Sequence, residues 1–356
     1  MIGIDLFAGA GGMSLGARLA GIDVKFAVEL DPWACKTYQR NHPKITLHAG
    51  DIREVTKQTL AKWTSLKEQV VLFGGPPCQG FSWSNARTRN QANENNWLFR
   101  EFLRIAKALK PEWVVFENVQ GIVDTGSGVF VAQIQAEFRK LGYKVWAKKL
   151  NASEFGVPQD RTRFFLVGSK VHCEFKFPRP RANTVSVDDA IRDLPRLDNG
   201  HEKCWMPYGR KKPSSYGKKM RGDLVGCCNN IVTLNAPFVI ERYGYVPQGG
   251  NWEDIPDCLM SNYADRSRCH TGIYHRLNTK RPSIVIGNFR KNMLIHPEQD
   301  RGLSVREAAR LQSFPDAYHF IGSIGFQQQQ VGNAVPPLLA KAVFKEVAKM
   351  SSGAES

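Results

Sequence analysis

The sequence predicts an α/β fold, a mostly parallel sheet with helices on both faces, joined to a smaller irregular domain. From residue 2 to about residue 175, short apolar runs alternate with segments whose apolar residues recur at helical spacing, the pattern of consecutive βαβ units. Beyond about residue 175 the alternation stops, and Pro, Gly, Asn and basic residues dominate to roughly residue 300. Helical spacing then returns at "SVREAARLQSF" and runs into the C-terminal tail.

The elements follow in order. "IGIDLFAGAGG" is an apolar run ending in a glycine turn, and "MSLGARLAG" after it is helical. "VKFAVELD" predicts the second strand and "PWACKTYQRNH" the second helix. "VVLFGG" and "WVVFENV" are further strands with the helix "WLFREFLRIAKALK" between them. The helix "FVAQIQAEFRKLG" and the strands "KVWAKKL" and "RFFLVGS" complete the first region. Ser304 with Glu307 three residues on predicts a capped helix start, and "GNAVPPLLAKAVFKEVAK" predicts a turn and an amphipathic helix that packs back on the first sheet.

Composition narrows the function classes. The 356 residues are 42% hydrophobic and 23% charged, and no apolar run approaches the roughly 18 to 20 residues of a membrane span. The N-terminus lacks a basic, cleavable signal, which predicts a cytoplasmic, nucleoid-associated location. Eight cysteines (Cys35, Cys78, Cys173, Cys204, Cys227, Cys228, Cys258 and Cys269) form no C-x-x-C pair, so free thiols are expected rather than disulfides or a metal site. Lys and Arg number 49 against 33 Asp and Glu, a net charge of +16, which predicts a polyanionic partner. The single-copy architecture makes a monomer the simpler expectation.

The chemistry-bearing residues gather at predicted strand ends. Gly9, Gly11 and Gly12 lie between a strand and a helix, where backbone can approach a ligand closely. The G-x-G-x-x-G dinucleotide pattern fails at Ser14, while Glu29 at the end of the second strand suits a ribose diol and Asp51 in "AGDI" suits an adenine amine. Together these predict a nucleoside-bearing cofactor without a pyrophosphate; each acid alone also reads as a solvated loop carboxylate. Cys78 follows "VVLFGGPP" at the carboxyl edge of the sheet, where open α/β proteins place their sites, and reads as a nucleophile or as a packed thiol. Glu117 in "FENV" ends the adjoining strand, where burial would favour a proton-donating carboxyl. Arg161 and Arg163 in "QDRTR" point to one side if extended.

The ordered blocks "DLFAGAGG", "VELD", "GDI", "GGPPCQGFS", "FENV", "QDRTR", "REAARLQSFPD" and "GNAVPP" span most of the chain, which resembles the DNA (cytosine-5)-methyltransferases of bacterial restriction-modification type. The resemblance implies a Rossmann-like, S-adenosylmethionine-dependent catalytic domain over residues 1–185 and 325–356, and a hinged target recognition domain over 186–324. It implies Cys78 as the nucleophile on C6 of a flipped-out cytosine in double-stranded DNA, Glu117 on the base N3 and amine, and Arg163 on the thiolate and base O2, with Arg161 beside it. S-adenosylmethionine would meet Phe7, Gly9 and Gly11 at its methionine end, Glu29 at the ribose, and Leu30, Asp51 and Ile52 at the adenine. Pro77, Asn333 and Val335 complete that set. Gln79, Ser82 and Ser84 fall in a loop that would close on DNA.

The chain departs from the family pattern in two places. "NENNWLF" lacks the usual Asp-x-Arg, leaving Arg87 or Arg89 for that loop's phosphate contact, and Val285-Ile286 stands where Thr-Leu is usual. From Lys203 to Arg221 there are seven basic residues and no acid, with Trp205, Tyr208 and Tyr216 interleaved, so Lys211, Lys212, Lys218 and Lys219 are expected on the DNA backbone. A separately acting restriction endonuclease is the implied companion. A tRNA cytosine-5 methyltransferase and a catalytically silent DNA-binding relative are the alternatives; "PPCQGFS" and the long variable segment favour DNA.

Overall fold

The computed structural model describes residues 1–64, 68–77, 98–124, 128–261, 270–287, 289, 291 and 293–353. From the N-terminus come β1 (Ile2–Leu6), α1 (Gly12–Leu19), β2 (Asp23–Glu29), α2 (Pro32–Asn41), β3 (Thr46–Ala49), α3 (Lys57–Thr64) and β4 (Val70–Gly74). Then follow α4 (Leu98–Leu109), β5 (Trp113–Val119), α5 (Gly121–Asp124), α6 (Val129–Lys140), β6 (Lys144–Asn151) and β7 (Thr162–Ser169). The irregular stretch holds α7 (Val187–Ile191), β8 (Met206–Pro207), α8 (Ser215–Arg221), β9 (Gly226–Cys227), α9 (Pro237–Tyr245), α10 (Val305–Leu311) and α11 (Ile324–Asn333), and α12 (Pro337–Ser351) closes the chain.

Contacts divide the chain into two compact units. The first is Met1–Asn151, Thr162–Pro180 and Pro337–Ser356; the second is Ala152–Arg161 and Arg181–Pro336. The boundaries expected at 185/186 and 324/325 thus fall at 180/181 and 336/337, and the connection from β6 to β7 goes to the second unit. Its backbone is the reason, because Asp160 N–H donates to Ser283 O and Ser283 N–H donates to Pro158 O. In the same unit Gln312 Nε2 donates to Val331 O at 2.8 Å, holding α11 there.

Among the described residues, seven strands of the first unit form one sheet in the order β3-β2-β1-β4-β5-β7-β6. β1 to β5 pair in parallel, and β7 runs antiparallel to both β5 and β6. Strand alternation sorts the two faces. Ile4, Leu6, Phe26, Val28, Leu72, Val114 and Phe116 join Leu60, Trp63, Phe99, Phe102, Ile134 and Phe138 of α3, α4 and α6 in one core. The opposite face meets α2 through Ala27 and Tyr38, and α12 through Phe73 and Phe344, whose rings lie 4.8 Å apart. A Cβ on Gly16 of α1 would stand 2.5 Å from that of Ala340 on α12, so only glycine lets these helices approach. Local signals agree with the packing: Asp31 accepts from Trp33 N and Ala34 N to start α2, with Pro32 in its first turn.

The second unit has little ladder hydrogen bonding, and buried arginines take up its backbone and acids. Arg310 donates to Asp193 Oδ1 at 2.7 Å, Asp316 Oδ2 at 2.6 Å and Ala190 O at 2.9 Å. Arg306 bonds the carbonyls of Cys228, Pro315 and Tyr318. A guanidinium carries five donors, enough to satisfy several loop carbonyls at once. Ser304 and Glu307 form the expected capping box, and Glu307 also pairs with Arg301 at 2.7 Å.

Burial alone would push the Glu307 carboxyl up, but the Arg301 ion pair overrides it and holds the group down at about 2. A folded-state value below the ordinary 4.5 gives stabilisation that is present above that pH and lost as pH falls toward 2. Glu307→Gln is therefore expected to cost about 3 kcal/mol at neutral pH. The gap in thermal midpoint from wild type should close on acidification; a pH-independent gap would contradict this reading.

Candidate active site

Because β1 to β5 are parallel, the segments that follow them leave one edge of the sheet. The first carries backbone that ordinary residues resist: Phe7 at φ 60, Gly9 at φ 54 and Gly11 at φ 89. A Cβ placed on Gly9 would have nothing within 4 Å, so there is open space above this turn. Gly11 caps α1 with no side-chain hydrogen bond to the helix's first N–H groups.

Glu29, at the end of β2, binds the turn to its own loop. Its Oε2 accepts from Gly9 N at 2.7 Å, and Oε1 accepts from Leu30 N at 2.9 Å and Asp31 N at 2.7 Å. Burial pushes this carboxyl up, and the amides pull it partly back. Leu30 beside it is 66% exposed, an apolar side chain left standing at the rim. Asp51 follows β3 and caps a short 3-10 turn, Ile52–Glu54, while the Arg53 guanidinium lies across both its oxygens at 2.6 to 3.0 Å. Those Arg53 bonds hold the Asp51 carboxyl below the usual range. Ile52, the next residue, is buried and packs with the sheet core.

After β4, Gly74 sits so close to Leu6 O that no Cβ fits. A Cβ on Gly75 would stand 2.5 Å from Glu117 Oε2, so this glycine makes room for the acid. Glu117 is 6% exposed, and Arg163 Nε lies 3.2 Å from its Oε1. Asn118 donates to Pro76 O at 3.0 Å, fixing the backbone that leads through exposed Pro77 toward residue 78. Cys78, Gln79, Ser82, Ser84, Arg87 and Arg89 lie outside the described residues.

Arg161 and Arg163 fall in different units. Arg163 belongs to the first unit, whereas Arg161 is 1% exposed in the second and donates to the carbonyls of Ile286 at 2.9 Å, Gly332 at 2.7 Å and Ala334 at 3.2 Å. Arg161 thereby anchors the segment that carries Asn333, exposed at the end of α11, and buried Val335. Of the expected DNA contacts, Lys212, Lys218 and Lys219 are exposed, and Lys211 pairs with Glu298 at 3.1 Å. Two of the interleaved aromatics are structural: Tyr208 donates to Asp316 and Tyr216 to Arg310 O, both at 2.6 Å. Trp205 stays 53% exposed.

Sequence reasoning missed Gly75, Asn118, Arg53 and a polar cluster behind the glycine turn. Only Asn118, next to the acid in "FENV", carried a signal that could have found it.

A glycine turn, a rim of carboxylates and an acid–arginine pair on the carboxyl edge of a mostly parallel sheet define the class of Rossmann-like methyltransferases. Comparison with known proteins narrows this to a family. The profile described as C-5 cytosine-specific DNA methylase matches residues 1–349. The Type II methyltransferase M1.HphI of Haemophilus parahaemolyticus is 38% identical over 98% of this chain and 87% of its own. M.DdeI of Desulfomicrobium norvegicum is 34% identical over 97% and 88%. The crystal structure of a DNA modification methyltransferase encoded within an E. coli prophage superposes with a TM-score of 0.79 at 26% identity, covering 98% of this chain and 99% of that one. The chain belongs to the C-5 cytosine-specific DNA methylase family and is a DNA (cytosine-5)-methyltransferase. Among the described residues, no helix is long and apolar enough to cross a membrane.

Gly75→Ala should displace the Glu117 carboxyl without disturbing the core. Methyl transfer to DNA, followed with tritiated S-adenosylmethionine, is expected to fall about 100-fold. The thermal midpoint should stay near wild type, and unimpaired turnover would show that the placement of Glu117 does not matter.

Proposed function

We propose that this protein transfers a methyl group to C5 of a flipped-out cytosine within a specific sequence of double-stranded DNA, through a covalent bond between Cys78 and C6. The observation that carries the reading is Glu117 beside Arg163, with Asn118 holding the Pro76 carbonyl two residues before Cys78. In that arrangement an acid from the end of β5, a cation from the start of β7 and the chain leading from β4 to the thiol lie on neighbouring strands.

The glycine turn fits S-adenosylmethionine. Open space over Gly9, two carboxylates at neighbouring strand ends and the exposed Leu30 suit an amino-acid tail, a ribose diol and a purine respectively. Phe7, Gly9 and Gly11 would hold the methionine end, Glu29 the ribose, and Leu30, Asp51 and Ile52 the adenine, with Pro77, Asn333 and Val335 completing the set. Bound there, the cofactor supplies an electrophilic methyl group.

The chain's own residues do the rest. Cytosine C5 is a poor nucleophile, so Cys78 thiolate adds to C6 while Glu117 hydrogen-bonds N3 and the exocyclic amine, drawing electron density so that C5 becomes enamine-like. Arg163 steadies the thiolate and the base O2. After methylation, loss of the C5 proton lets Cys78 leave and restores the ring. A stacked base is beyond reach of these groups, which requires flipping. The first unit would perform this chemistry, and the second would read the DNA, with Lys211, Lys212, Lys218 and Lys219 on phosphates. The Type II names of the relatives suggest a separately acting restriction endonuclease as companion.

Duplex DNA carrying 5-fluorocytosine tests the mechanism, because fluorine at C5 cannot leave as a proton and the thiol cannot then be eliminated. With S-adenosylmethionine, a denaturation-resistant adduct is expected from wild type and not from Cys78→Ser. An adduct formed only on similarly substituted tRNA would move the substrate to RNA, and none on either would refute the covalent route.

A further inference from the structure

Behind the glycine turn lies a buried acid that the proposed chemistry does not use. Asp5, on β1, is 1% exposed. Its Oδ2 accepts from Ser14 Oγ at 2.6 Å, Ser14 Oγ meets the Tyr38 hydroxyl at 2.6 Å, and its Oδ1 has no hydrogen-bond partner. Ser14 is in the first turn of α1 and Tyr38 is in α2, so one carboxyl joins β1 to α1 and, through Ser14, to α2. His42, which caps α2, stacks on Tyr38 with ring centroids 4.6 Å apart and hydrogen-bonds the Gly11 backbone. The cluster therefore reaches the turn itself.

We infer that Asp5 is a positioning residue for the cofactor: through Ser14 and Tyr38 it holds the Gly9–Gly11 turn and the start of α1 in the conformation that binds the nucleoside. This rests on the reading that the turn holds S-adenosylmethionine. Asp5 works as the neutral acid, because an ionised form would leave buried Oδ1 charged without a hydrogen-bond partner. Burial pushes the group up to about 8; the Ser14 hydroxyl and backbone amide oppose this, and Glu29 adds to it. The titratable and charged groups around it are Glu29 from β2, Arg18 from α1, and Tyr38 and His42 from α2. Burial, helped by Arg18, drives His42 down to about 4, so it stays neutral. The β4 sequence VVLFG brings no charged group, and α12 meets α1 through Ala340. With Asp5 neutral, Tyr38 donates to Ser14 and Ser14 donates to Oδ2, which leaves the acid proton on Oδ1. Asparagine reproduces that pattern with its carbonyl on Ser14 and its amide on the vacant side.

Wild-type protein, Asp5→Asn, Asp5→Ala and Ser14→Ala are titrated with S-adenosylhomocysteine and assayed for methyl transfer. Asp5→Asn is expected to keep Kd within about twofold of wild type, while the two alanine variants weaken it about fivefold or more, the worth of one hydrogen bond. In the alanine variants KM for S-adenosylmethionine should rise with kcat at saturation retained. The unfolded chain loses the Asp5 proton near its ordinary 3.8 and the folded chain only near 8, so wild-type stability falls across that window. The thermal midpoint of Asp5→Asn should therefore exceed wild type by a margin that widens over the window and is flat above it. Equal weakening by Asp5→Asn and Asp5→Ala overturns the inference, and so does a margin independent of pH. Should Asp5→Ala fail to fold, Ser14→Ala and the Asp5→Asn pH series decide. A wild type that does not bind S-adenosylhomocysteine overturns the functional reading, whereas binding that no variant weakens overturns only the role of Asp5.

Discussion

The antiparallel register of β7 on β5 is the constraint on which the active site depends. Arg163 pairs with Val119, and Val119 shares a sheet face with Glu117 two residues earlier, so the guanidinium reaches the carboxylate diagonally at 3.2 Å. A slip of one residue would turn Arg163 to the other face. That register is held by seven Cα pairs, from Trp113 with Ser169 to Val119 with Arg163, in strands buried along most of their length. The geometry of the acid–arginine pair is thus fixed by the core of the sheet, while β1 to β5, all parallel, bring the glycine turn, Glu29 and Asp51 to the same edge.

The second unit solves a different problem. A long segment with few strands and short helices must bury carbonyls and acids without a ladder to satisfy them, and it does so with guanidinium groups at Arg161, Arg301, Arg306 and Arg310. The positive charge of the chain is therefore not all surface charge. Arg221 pairs with Asp193 and stacks on Tyr208 with 3.7 Å to the ring centroid, while the neighbouring Lys218 and Lys219 stay exposed. Within one basic stretch Arg221 thus helps build the fold while Lys218 and Lys219 stand at the surface.

Much of this was legible in the sequence. Period-two and period-3.6 patterns located β1, β2, β4, β5, β6 and β7 with α1, α2, α4 and α6 between them, because those elements bury one face or both against a single core. The reversal of β7 was not legible, since a fully buried strand carries the same residues in either direction. Nor was the parting of Arg161 from Arg163: a spacing of two puts side chains on one face only within one strand, and β7 begins at Thr162. Gly75 and Asp5 carry meaning only through neighbours distant in sequence, Glu117 and Tyr38.

If Glu117 and Arg163 act on one base as a unit, their contributions to turnover are coupled. The most direct test is a double-mutant cycle on kcat for DNA methylation with Glu117→Gln, Arg163→Ala and the pair. Each single variant is predicted to lose about 100-fold or more, and the double to be little worse than the poorer single. Losses that multiply in the double variant would mean the two groups work independently, and would contradict the account.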